Sequence, residues 1–336
     1  MNIPQPYLDL AIKIVYLVGV LLFLTVFALL AVWFERKVSA HVQDRLGPME
    51  TGKWHGWSQT IADTIKLLIK EDIIPIAADK KLFRLAPYVV FIGSLAGFAV
   101  LPFAANLIGS DLNIGVYYVI AVTSLVVIGI LMAGWASNNK WALYGAMRSA
   151  AQMVSYEIPV ALSLLIPVIM AGTMSMEQIV HNQAGGFWNW YVFRTFPFSL
   201  VGFVIYFWAS LAETNRTPFD IPEAESELVA GYHVEYSGMR FAIFFLAEYG
   251  NMFVVSAIAS TVFLGGWQAP FPFLEFIPGP FWFIGKAMTL VLIQMWIRWT
   301  LPRLRVDQLM HVCWKIFLPF SFANLLLVGL WVVLVG

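Results

Sequence analysis

The chain carries long apolar stretches that a soluble fold has no use for. From Ile14 to Phe34 there is not one charged side chain, and a helix of about 20 mainly apolar residues is what the hydrocarbon core of a bilayer requires. Eight runs of this kind can be read, at residues 10–34, 84–107, 115–137, 155–174, 195–213, 240–264, 281–301 and 313–335. The fourth is short ahead of Glu157. An amphipathic approach from Trp141 to Ser155 would lengthen it to about 30 residues, a helix that must tilt or run beyond the bilayer. Pro159 and Pro167 would kink it. The expected fold is an all-α integral membrane protein of about eight transmembrane helices, one transmembrane domain over residues 1–336. Composition agrees: 12% of residues are charged, where soluble domains carry about 25%.

Charge then orients the runs. Of 20 Lys and Arg, all but Lys13, Arg194 and Lys286 fall on the first, third, fifth and seventh connections. Positive charge is retained on the cytoplasmic face, so those connections are expected inside and both termini outside. A bacterial inner membrane is the expected location. The first connection, 35–83, contains Trp57, Ile61, Ile65 and Leu68 at helical spacing, with Gln59, Asp63, Lys66 and Lys70 off that stripe. This predicts an amphipathic surface helix, which is either a plain interfacial element or one wall of a passage opening to lipid. Lys37 reads as an interfacial anchor, and Lys286 and Arg298 near run ends read as snorkelling side chains.

The residues most at odds with lipid are Glu157, Glu213 and Glu248. One ionised group near the bilayer centre costs about 2.5–3.5 kcal/mol on insertion scales. Three together approach ~10 kcal/mol, the stability of a whole domain, so they must border a bundle interior or water. Burial and like charges both favour the protonated carboxyl, which suits proton carriers. The fifth connection, 214–239, adds Asp220, Glu223, Glu225, Glu227 and Glu235, with Arg216 and Arg240 as local counter-ions. Phe219, Ile221, Leu228, Val229 and Tyr232 alternate with these acids, so the loop is expected to fold down against protein. Glu35 and Arg36 close the first run, and Glu71 and Asp72 end the amphipathic segment.

Other chemistries are disfavoured. Cys313 is the single cysteine, so the chain offers neither an internal disulfide nor the four or so thiolates of an iron–sulfur cluster. His41, His55, His181, His233 and His311 are dispersed without metal-ligand spacing. No flavin, metal or cluster is expected on this chain. A secondary transporter would suit intramembrane acids, but no internal repeat is apparent. A membrane scaffold without a site would leave Glu248 unexplained.

The segment AETNRTPFDIPEAESELVAGYHVEYSGMRF, 212–241, resembles the signature loop of the family of quinone-site membrane subunits of respiratory complex I, found in bacteria and mitochondria. FERKVSAHVQDRLGP (34–48), SAAQMVSYEIP (149–159) and LPRLRVDQLMHVCWK (301–315) are similar to that family's first loop, fourth span and last inner loop. The resemblance runs nearly end to end, and related membrane-bound hydrogenase anchors are the alternative. It implies a membrane subunit of a proton-pumping NADH:quinone oxidoreductase of the respiratory electron-transport chain. Quinone, ubiquinone or menaquinone, would be its substrate. Its partners would be the other membrane-arm subunits and the peripheral quinone-module subunits, so the chain would not be catalytic alone. The resemblance assigns the quinone chamber to Glu35, Arg36, Asp72, Glu223, Glu225 and Glu227, and an acidic proton relay to Glu157, Glu213 and Glu248.

Overall fold

The computed structural model describes residues 5–105, 107–222 and 225–335, without the side chains of Gln5, Pro6, Leu8, Glu225 and Ser226. Helices form where the apolar runs lie. Helix α1 (Gln5–Val42) holds the first run. The first connection contains α2 (Gln59–Ile69), the expected amphipathic helix. Next come α3 (Lys80–Gly97), α4 (Gly115–Ala136) and α5 (Lys140–Ala171). Two short helices follow, α6 (Met176–His181) and α7 (Tyr191–Arg194), before α8 (Phe198–Glu213). The acidic connection holds α9 (Glu225–Leu228). Helices α10 (Gly238–Phe263) and α11 (Gly279–Thr300) come next. Finally α12 (Val306–Val312) passes through a π-helical turn, Cys313–Phe317, into α13 (Leu318–Val335).

Seven of these are long and apolar enough to cross a membrane, counting Val306–Val335 as one. The run at 195–213 yields only the 16-residue α8. The fourth run and its amphipathic approach do form one helix of 32 residues, continuous through Pro159 and Pro167.

Local chemistry sets the ends. Asp79 caps α3 by accepting from the N–H groups of Lys81 (3.0 Å) and Leu82 (3.3 Å). Asn139 caps α5 through the N–H of Trp141 at 2.9 Å. Gly172, at φ +67°, ends α5 in the left-handed region that a side chain resists.

Helix α10 is the centre of the bundle. It is 61% buried in its most apolar window, against 22% for α1, and it packs on α1, α3, α8 and α11. Phe253 on α10 meets the rings of Phe23 and Phe27 at 5.0 Å and Phe98 at 5.8 Å. These contacts fix α1 and the turn that follows α3 against it by aromatic packing.

The connections divide as the basic residues suggest. On one side Asp79 N–H donates to Ala136 O (3.0 Å), Asn139 Nδ2 to Glu235 (2.6 Å), and Leu304 N–H to Pro218 O (3.1 Å). These bonds join the first, third, fifth and seventh connections into one surface. On the other side Ser175 donates to Asp111 (2.9 Å) and Phe187 N–H to Pro270 O (2.9 Å).

Two basic residues do not snorkel. Lys286 turns inward, and its Nζ donates to the carbonyls of Leu264 (2.7 Å), Gly266 (2.9 Å) and Gln268 (2.8 Å) under the ring of Trp190. It satisfies carbonyls just beyond the C-terminus of α10, where a cation is favoured. Arg298 turns inward to Glu35. Lys37 does more than anchor: it donates to Pro48 O at 2.8 Å and holds the chain's return after α1.

Candidate functional site

Glu35 closes the uninterrupted apolar run of α1, yet it is only 5% exposed. A buried carboxylate is tolerable only if paired and hydrogen-bonded. Arg216 Nη1 donates to both its oxygens, at 3.2 and 3.3 Å. The hydroxyl of Tyr249 and the guanidinium of Arg298 complete the set. Arg216 reaches this point because a tight turn folds it back under α8. Asn215 stands at φ +52°, a region that Asn tolerates well, and Arg216 N–H donates to Leu211 O at 3.1 Å.

The same guanidinium also serves Glu248. Arg216 Nη2 lies 3.0 Å from its Oε1, and the Arg216 plane sits 4.6 Å over the Tyr249 ring. One arginine therefore links an acid of α1 to an acid of α10. Glu35, Glu248, Arg216 and Arg298 bring two charges of each sign into a space closed by four elements.

Glu213, the last residue of α8, connects this cluster to Glu157 on α5. It lines a small cavity with Glu248, Asn251, Asn215 and Tyr232 that has about 20 Å³ for water centres, room for one water. It also lines a second, tighter space with Glu157, Thr123 and Ser124, which has no room for a water. Glu157, Glu213 and Glu248 thus border adjoining internal spaces, with Glu213 common to both.

The other residues implicated by sequence go elsewhere. Arg36 pairs with Asp63 of α2 at 2.6 Å, and Asp72 pairs with Arg240 at 3.0 Å. Both pairs are partly exposed, and they tie the first connection to α1 and α10. Glu35 is buried among arginines, while Arg36 and Asp72 hold α2 and the segment after it in place. Arg216 is drawn to Glu35 and Glu248, and Arg240 to Asp72. Two acids of the acidic connection are met from α5 and its cap: Glu227 pairs with Arg148 at 2.5 Å, and Glu235 accepts from Asn139. The Arg148 hydrogen bond holds the Glu227 carboxyl below the usual carboxylate range. Glu223 and the side chain of Glu225 lie outside the described residues.

The apolar residues of that connection do fold inward. Phe219, Ile221, Leu228 and Tyr232 are buried, though Val229 is exposed. His233 sits edge-on to Tyr232 (4.9 Å) and Phe241 (5.4 Å), and burial depresses its pKa to about 4. Among the described residues no group of His, Cys, Asp and Glu is arranged to hold a metal ion.

Sequence reasoning missed Tyr249, read Arg298 as snorkelling and took Arg216 for a local counter-ion of the acidic connection. A charge balance would have pointed to the two arginines: Glu35 and Glu248, once taken as interior, demand interior cations.

A protein-family model described as NADH dehydrogenase matches residues 14–329. A curated protein from Chlorobaculum tepidum, named as the H subunit of an NADH-quinone oxidoreductase, is 56% identical over 326 residues, which cover 93% of this chain and 90% of that protein. Proteins of the same name from Anaeromyxobacter dehalogenans and Bacteroides fragilis are 51% and 49% identical, over 91% and 92% of this chain and 78% and 87% of theirs.

Proposed function

Because the chain belongs to this NADH dehydrogenase family and is a membrane subunit of an NADH:quinone oxidoreductase, we propose that it frames the chamber through which quinone arrives from lipid. We further propose that it passes the protonation change of quinone reduction into the membrane through Glu248, Glu213 and Glu157. The observation that carries this reading is Arg216 shared between Glu35 and Glu248.

The physics is that of coupled titration. Reduction of a quinone to the quinol consumes two electrons and two protons. The electrons come from outside this chain, on peripheral subunits that would also hold the headgroup. Glu35 is the acid of the proposed chamber wall, built from α1, α2 and α10. A change in charge beside it alters the hold of Arg216 on Glu35, and with it the hold on Glu248. Acids that interact this strongly titrate as a set, so a proton gained by one member changes the demand at the next. The cavity at Glu213 has room for the one water that a transfer from Glu248 needs.

Arg36 and Asp72 act in this scheme by holding α2 at the chamber mouth. Glu223, Glu225 and Glu227 are proposed for its acidic side. The membrane is proposed to be the bacterial inner membrane, with both termini outside. The hydrogenase-anchor alternative gains nothing from the relatives described.

The test is Glu248→Gln in the intact complex, in closed membrane vesicles. NADH:quinone turnover and NADH-driven proton uptake should both fall at least tenfold, while assembly on native gels persists. Wild-type rates of both in an assembled complex would remove Glu248 from the path.

A further inference from the structure

On the side opposite the acidic connection, two loops form an aromatic surface that no transmembrane helix covers. They run over residues 184–197 and 266–278, and Phe187 N–H binds Pro270 O across them. Trp188, Phe273 and Phe276 are 72%, 73% and 79% exposed, and Phe193, Phe196 and Phe271 are exposed with them. Arg194 and Glu275 are the only charged residues in these segments.

Helix length supplies a second, independent observation. The 16 residues of α8 span about 24 Å at 1.5 Å per residue, short of the roughly 30 Å hydrocarbon core. Glu213 ends α8 beside the internal cavities, so the shortfall falls at its Phe198 end. Phe193 and Phe196, on the segment leading into that end, are exposed like Val201 and Val204 of α8.

Part of the loop backbone meets the condition for irregular chain in a bilayer, which is internal satisfaction of its polar groups. The N–H groups of Phe187, Asn189, Trp190, Tyr191, Phe193 and Arg194 all donate to protein oxygens. Gln183 accepts from Tyr191 N–H (3.2 Å) and Gly265 N–H (3.0 Å), which pins both loops to the end of α10.

We infer that these paired loops are a membrane-embedded foot, whose partner is the phospholipid of the leaflet opposite the acidic connection. It completes the short span α8 with aromatic side chains at the headgroup–acyl boundary, where Trp and Phe bodies are favoured. The inference rests on the membrane fold and not on the proposed proton path.

Wild-type complex reconstituted with a phospholipid bearing a diazirine on its upper acyl chain tests it without any substitution. Peptides containing residues 187–197 and 270–276 should be labelled within tenfold of the more heavily labelled of Val15 and Val333, which are 71% and 82% exposed on spanning helices. Labelling more than tenfold below that reference overturns the inference. A water-soluble diazirine reagent then identifies the replacement: strong labelling means hydrated loops, and weak labelling means a neighbouring subunit covers the surface.

Discussion

Arg216 answers to two carboxylates on different helices, and this sets what its loss should do. In Arg216→Met, Glu35 keeps Arg298 and Tyr249, whereas Glu248 loses its ion pair. Stranding a buried charge costs about 3–5 kcal/mol, so the thermal midpoint of the purified complex should drop by several degrees. Glu248→Gln removes that stranded charge, so the double variant should regain part of the loss, as expected of residues in one network. A midpoint for Arg216→Met equal to wild type would show that the pairing does not hold the site together. Arg298→Gln should cost less, because Arg298 is 22% exposed and water can replace part of what it gives.

At the scale of elements, the acidic connection is held by close backbone approach as well as by charge. A Cβ on Gly145 of α5 would lie 2.8 Å from Gly231 Cα and 3.0 Å from Tyr232 N. Neither is a flexible tip that could move aside. Gly145→Ala should push residues 225–236 off α5, weakening the Arg148–Glu227 and Asn139–Glu235 bonds, and amide exchange across that segment should quicken. Gly329→Ala, with nothing within 4 Å, is the control and should leave exchange unchanged. If Gly145→Ala exchanges like the control, the two segments are not in the contact described.

His233 makes the same connection sensitive to acid. Its folded pKa of about 4 lies below the ordinary 6.5, so the unfolded segment takes up a proton first. Its packing is therefore unaffected above about pH 6.5, and local stability is lost as pH falls from there toward 4. Exchange in 231–236, corrected for intrinsic rate, should rise over that window. His233→Phe should flatten the rise. The Glu227–Arg148 pair adds a second acid-side loss, beginning as pH approaches the ordinary carboxylate range.

These elements differ in how plainly the sequence announces them. The spanning helices are legible because burial in hydrocarbon demands uninterrupted apolar length, which is a one-dimensional property. The amphipathic α2 is legible from its stripe. The short α8 is not, because hydropathy over 195–213 does not reveal that Phe196 and Pro197 precede the helix. Nor are the partners of Arg36, Asp72 and Arg298 legible. Pairing across 27 to 263 residues of sequence depends on which helices are neighbours, and apolar composition is nearly the same for every helix pair.

For the whole molecule, the division of connections into two bonded sets means that each face acts as a unit. Disturbing one connection of the basic side should be felt by the others through the Asp79–Ala136, Asn139–Glu235 and Pro218–Leu304 bonds. The opposite face, pinned by Gln183 and Lys286, should stay quiet.

Cys313 lies fully buried at the π-helical turn, with its Sγ 3.1 Å from Ser155 O, two residues before Glu157. The chain thus carries its own chemical stopwatch: a thiol that can be alkylated only while the seam between α5 and the last helix gapes. If turnover strains that seam, a membrane-permeant maleimide will tag Cys313 faster with NADH and quinone present than in the resting complex. Equal rates would mean the seam stays shut throughout the cycle.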